Sequence, residues 1–126
     1  MSKLFTLSKQ ERLKSRKQIE QLFQAGARIS VPLFRVSYLY GGAGDEVLLF
    51  GTGASSRHFK RAVDRNRIKR LTREAWRLQK NELKEKLQQQ GHSLHIFFIY
   101  TGKEIPVYAD VYAAVGKVIQ KLVQAK

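Results

Sequence analysis

From about His58 to Gln89, apolar residues recur at helical spacing, and Gly91 follows as a stop signal. The segment reads as one long helix, with Asn81 the place where it could divide. Upstream, Ser8-Lys9-Gln10-Glu11 has the S-x-x-E form of a capping box. It predicts a helix to about Ala25, ended by Gly26, after a flexible tail of ~8 residues. Ile19, Leu22 and Phe23 share one face of that helix, and Arg12, Lys14 and Arg16 crowd it, so the face is only partly buried. Between the two helices the period changes to two. Phe34, Val36, Tyr38 and Tyr40 alternate with Arg35, Ser37 and Leu39, a strand pattern. Gly41 to Asp45 reads as a turn and Val47 to Phe50 as a second strand, predicting a hairpin over 33–52. A short strand near Arg28–Val31 precedes Pro32, and residues 51–57, GTGASSR, form a connection.

Further on, SLHIFFIYT at 93–101 is apolar almost without interruption, as a strand in the middle of a sheet requires. Gly102 to Pro106 reads as a loop. Tyr108 to Gln124 reads as a final helix with Val111, Ala114, Val115, Val118 and Leu122 on one face. The order is helix, two or three strands, helix, strand, helix, without repeats. Over 126 residues this predicts a single α+β domain, helices packed on a sheet.

Charge changes the picture more than composition does. Lys and Arg number 24 against 10 Asp and Glu, for a net charge of +14. Such a field attracts polyanions at a distance, which points to nucleic acid or an anionic membrane as partner. The absence of cysteine removes disulfides and thiolate metal sites. The opening MSKLFTLSKQERLKSR lacks the apolar core of a secretory signal, and no apolar run approaches the roughly 20 residues of a membrane span. A cytoplasmic protein without a membrane partner is expected.

The charge is also concentrated. Residues 57–80 hold ten cations, Arg57, Lys60, Arg61, Arg65, Arg67, Lys69, Arg70, Arg73, Arg77 and Lys80, against Asp64 and Glu74. With Arg65 at zero on a helical wheel, Lys69, Arg73, Asn66, Arg77 and Arg70 fall between about 0° and 140°. Ile68, Leu71, Ala75 and Leu78 fall between about 220° and 300°. A solvated face would mix both signs, and a membrane-surface helix would carry a longer apolar face. Arginine forks and lysine point charges in one arc suit phosphates. Asn66 can donate and accept, and so can read a base edge or a 2′-hydroxyl, or lock a neighbouring loop. Trp76, near 20°, falls inside the basic arc. It either stacks on RNA or covers the sheet with Leu83 and Leu87, and packing is favoured.

The run F-K-R-A-V-D-R-N-R-I-K-R-L-x-R-E-A, residues 59–75, resembles the signature of the bacterial ribonuclease P protein subunit, with Arg65-Asn66-Arg67 as its RNR motif. Leu13-Lys14 with Phe23 ten positions on agrees, and the likeness covers roughly residues 10–123. It implies a four-stranded sheet with three helices, similar to the second domain of ribosomal protein S5, and a left-handed β-α-β crossover around the RNR helix. It also implies an accessory role in an endoribonuclease that removes the 5′ leader of precursor tRNA, with catalysis by the RNA subunit. The RNR face would bind that catalytic RNA through Arg57, Lys60, Arg61, Arg65, Asn66, Arg67, Lys69, Arg70 and Arg73. Phe23, Phe34, Val36 and Tyr38 would line a cleft for the leader, where aromatic faces stack on unpaired bases with little sequence preference. Mg²⁺ would be held by RNA and substrate, and no obligate protein partner is implied.

Two departures stand out. Ile19 replaces the first of two phenylalanines usual in the first helix. Ala54-Ser55-Ser56-Arg57-His58 stands where the family shows S-x-S-K-K, and Lys60 where it shows glycine. The rival reading of composition and charge is a ribosomal-type or chaperone-like RNA-binding protein without associated catalysis. A protein nuclease would need paired acid and base groups or clustered carboxylates. His58, His92 and His95 are scattered, and so are Asp45-Glu46 and Asp110. A DNA-binding regulator would need a helix-turn-helix spacing that the chain does not show.

Overall fold

The segment SLHIFFIY, apolar on both faces, forms a strand with a neighbour on each side, and the other elements are arranged around it. The computed structural model describes Leu13, residues 16–41 and residues 47–124. The elements in order are α1 (Arg16–Ala25), β1 (Ala27–Val31), β2 (Phe34–Gly41), β3 (Leu48–Ala54), α2 (Ala62–Gln79), α3 (Asn81–Gln90), β4 (Ser93–Tyr100) and α4 (Tyr108–Gln124). They build an α+β domain with one four-stranded sheet, ordered β1-β2-β4-β3.

The pairing corrects the expected hairpin over 33–52. β2 runs antiparallel to β4, with Phe34 opposite Tyr100 and Gly41 opposite Ser93. β3 lies on the other side of β4 and parallel to it, from Leu48 opposite Leu94 to Ala54 opposite Tyr100. The chain does reverse after β2, but β4 sits between the two strands. A local turn signal gives direction, not pairing, and the partner arrives more than forty residues later. The hairpin that does form is β1 with β2, closed by Pro32 and Leu33, where Leu33 takes φ 76. The turn at 42–46 lies outside the described residues, as do the capping box and the N-terminal tail.

Helix boundaries also differ from expectation. At Leu13 the chain is not helical, and its N–H donates to the Phe50 carbonyl at 2.7 Å, so the expected helix is not unbroken; among the described residues α1 spans Arg16–Ala25. The long helix divides at Lys80, next to the Asn81 at which a division was expected, so the described residues form four helices where the resemblance implied three. Lys80 keeps near-helical dihedrals, φ −71 and ψ −20, so the division is local, at a buried side chain. α3 ends on Gly91 at φ 70, where the His92 N–H donates to the Leu87 carbonyl at 3.0 Å. Glycine adopts this left-handed conformation without a Cβ penalty.

The sheet separates two apolar layers. On one face Phe34, Val36, Leu48, Phe50, Leu94, Ile96, Phe98 and Tyr100 form the core with residues of α2, α3 and α4. Trp76 stacks on Phe50 with ring centroids 4.8 Å apart at 13°, and meets Phe98 edge-on at 5.7 Å. On the other face α1 packs on β2 and β4, with Leu22 fully buried. There Phe23 meets Phe97 edge-on at 5.3 Å.

Candidate nucleic-acid interface

α2 presents its charge outward. Asn66, Arg67, Arg70 and Arg73 are exposed, and Lys69 and Arg77 are half-buried. Ile68, Thr72, Ala75 and Trp76 are buried. On the wheel with Arg65 at zero, the buried arc therefore runs from about 280° to 20°. It is rotated from the arc that sequence suggested. Leu78 is 38% exposed and lies outside the core, while Trp76 is entirely inside it. The large indole outweighs the smaller leucine because it buries more apolar area against Phe50 and Phe98.

Arg65 sits at the margin of that buried arc and folds back. One guanidinium nitrogen donates to the carbonyls of Phe59, at 2.6 Å, and Lys60, at 2.9 Å. It thereby fixes the segment that leads into α2. Phe59 anchors the same segment from beneath, buried with its ring 5.9 Å from that of Tyr100. Arg61 Nε donates to Asp64 Oδ2 at 3.2 Å across the first turn of the helix. The exposed side chains of Arg57, His58, Lys60 and Arg61 thus stand on a braced segment that leads into α2.

The cleft residues need correction. Phe34 and Val36 are 1% and 0% exposed and belong to the core under α2 and α4. Tyr38 shares their face, half-buried, and meets Tyr40 edge-on at 5.9 Å. Phe23 lies on the opposite face. Alternation along β2 gives the parity but not which parity faces α1. The residues on the α1 side are Arg35, Ser37 and Leu39, paired with Ile99, Phe97 and His95 of β4. Beyond Phe23 and Phe97, the next row is Arg35, Ile99 and Gly53, with Arg35 exposed and the other two half-buried. Phe97 was the aromatic that sequence reasoning passed over. The available signal was the Gly51-x-Gly53 spacing in β3: a Cβ at Gly51 would lie 2.6 Å from the Phe97 ring. The glycines make room for that ring. On this same face burial lowers the pKa of His95, so the neutral imidazole is favoured.

The acids near the arc are already engaged. Glu74 accepts from Arg77 Nε at 3.2 Å, and that hydrogen bond holds its carboxyl below the usual range. Asp64 is tied to Arg61. Among the described residues no three acidic or imidazole groups converge to hold a metal. No helix among them is long and apolar enough to cross a membrane.

A small α+β domain with exposed cations along one helix has the charge distribution that suits a polyanionic partner. The Ribonuclease P family model matches residues 7–123, and the chain belongs to that family. A ribonuclease P protein component of Porphyromonas gingivalis is 38% identical over 117 residues, covering 90% of this chain and 83% of the relative. One from Nitrosococcus oceani is 43% identical over 75 residues, covering 60% of this chain and 61% of its own. In fold, the chain resembles the Staphylococcus aureus RNase P protein at TM-score 0.70 and 17% identity, covering 90% of this chain and 95% of the other. The chain is therefore a protein subunit of ribonuclease P, an endoribonuclease of tRNA 5′ processing, and its partnership with the ribonuclease P RNA follows.

Proposed function

We propose that the subunit binds the catalytic RNA through the arc of Asn66, Arg67, Lys69, Arg70 and Arg73, with Arg57, Lys60 and Arg61 extending it. The observation that carries this reading is the braced 57–61 segment, which holds its exposed cations at the head of a helix whose acids Asp64 and Glu74 are both engaged. Phosphate contacts position an RNA without reading its sequence. Arg65 serves the same surface indirectly, by holding the segment in place.

The 5′ leader of precursor tRNA is proposed to lie along the α1 side of the sheet, against Phe23 and Phe97, with Ile99 and Arg35 in the next row. Rings supply stacking that tolerates any base, and Arg35 supplies charge for the backbone. β3 ends at Ala54 beside Tyr100, so this row opens toward the 57–61 segment. A single strand leaving the RNA surface can continue into it. Mg²⁺ is proposed to be held by RNA and substrate phosphates, since a net charge of +14 repels free divalent cations. The site of action is proposed to be the cytoplasm.

The test is reconstitution. The protein is mixed with a bacterial ribonuclease P RNA and precursor tRNA at low Mg²⁺. Restored 5′ cleavage, with none from protein alone, is expected. RNA binding without restored cleavage would favour the chaperone-like reading instead.

A further inference from the structure

The start of α4 carries an aromatic surface of which Tyr108 packs partly against the core and Tyr112 is left exposed. Tyr112 is 41% exposed and Val107 63%. The rings of Tyr108 and Tyr112, one turn apart, lie 6.0 Å from each other at 55°. The seam between α2 and α4 fixes them in place. Gln79 Nε2 donates to the Tyr112 carbonyl at 3.0 Å and to the Ala75 carbonyl at 3.2 Å. Tyr108 lies within electrostatic reach of Glu74 and Arg77. On α2, Leu78 is 38% exposed and follows Arg77 directly, with Arg70 about 12 Å back along the helix axis. The aromatic pair therefore stands at the C-terminal part of α2, where Arg77 is the cation within its reach.

That combination is what unpaired nucleotides require: cations along the backbone and a ring face for the base. We propose that Tyr112, backed by Tyr108 and flanked by Val107 and Leu78, is a stacking platform for an unpaired base of the RNA whose phosphates run along α2. This rests on α2 being the face that binds the catalytic RNA. A second copy of the chain is the rival occupant for an apolar patch. It would set the arginine arcs of two chains of +14 close together, and their repulsion opposes it.

The experiment measures binding of the full-length protein to ribonuclease P RNA over a range of salt, with Tyr112→Ala, Tyr112→Phe, Tyr112→Lys and Arg70→Gln compared. Tyr112→Ala is expected to bind about ten-fold more weakly with an unchanged salt slope and melting temperature. Tyr112→Phe should restore affinity, because the ring and not the hydroxyl stacks. Tyr112→Lys should also weaken binding although it adds a cation. Arg70→Gln should make the slope shallower. Wild-type affinity in Tyr112→Ala, with a shallower slope in Arg70→Gln, would overturn the platform and leave the basic face standing. Wild-type behaviour in both would remove the two together. Tighter binding by Tyr112→Lys would reduce the patch to a place where any charge helps, and overturn stacking. A micromolar dimer in sedimentation that Tyr112→Ala dissociates would assign the patch to a second copy.

Discussion

On a helix, positions 65 and 67 point about 200° apart, so the two arginines of the R-N-R motif stand on different sides of α2. Arg67 and Asn66 are exposed, whereas Arg65 is half-buried and holds the Phe59 and Lys60 carbonyls. This separates two roles that composition counts as one. Replacing Arg65 with Gln removes two charge-assisted hydrogen bonds and should cost about 1–3 kcal/mol of stability. Trypsin should then cut faster at Arg57, Lys60 and Arg61, and RNA affinity should fall with the salt slope nearly kept. Arg67→Gln should do the reverse, leaving trypsin sensitivity alone and reducing the slope by about 0.7–0.9. Limited proteolysis with salt-dependent binding distinguishes them, and an equal slope loss in both variants would refute the separation.

Among the elements, the central strand decides what the proposed cleft contains. Leu94, Ile96, Phe98 and Tyr100 point into the core, while His95, Phe97 and Ile99 point toward the α1 side. Both faces are apolar, and so the strand reads correctly as interior but gives no hint of which face binds a ligand. Gly51 is the element-level determinant, because the Phe97 ring lies against it. Gly51→Ala places a methyl in the ring's position and should destabilise the fold by about 1–3 kcal/mol. It should also move Phe97 and weaken leader binding while leaving affinity for the catalytic RNA nearly unchanged. Thermal melting and binding of a leader-bearing versus a leaderless tRNA check both parts. Equal affinities in variant and parent for the leader-bearing substrate would exclude Phe97 from the cleft.

For the whole molecule, one quantity acts in opposite directions. A net charge of +14 on a small domain favours association with polyanions and also repels itself in the compact state. Raising salt from about 0.05 to 0.2 M should therefore raise the melting temperature of the free protein by screening that repulsion. The same change should weaken RNA binding by orders of magnitude if several phosphates are contacted. Calorimetry and binding on one set of buffers test the pair. A melting temperature that falls with salt would mean that local ion pairs, such as Arg61 with Asp64, outweigh the net repulsion.

Much of this was legible in the sequence because it depends on local order. The period of 3.6 placed α2 and α4, and α4 was bounded correctly at Tyr108 and Gln124. The doubly apolar run placed β4, and the ordered cations of 59–75 identified the family and the basic face. Tertiary structure decided the rest, since long-range packing carries no local signature. It inserted β4 between β2 and β3, turned Phe34 and Val36 into the core, buried Trp76 against Phe50, and folded Arg65 back on its own loop. Periodicity states that a face exists. Only the competition for buried area among the packed layers settles which face is covered and which is left for a ligand.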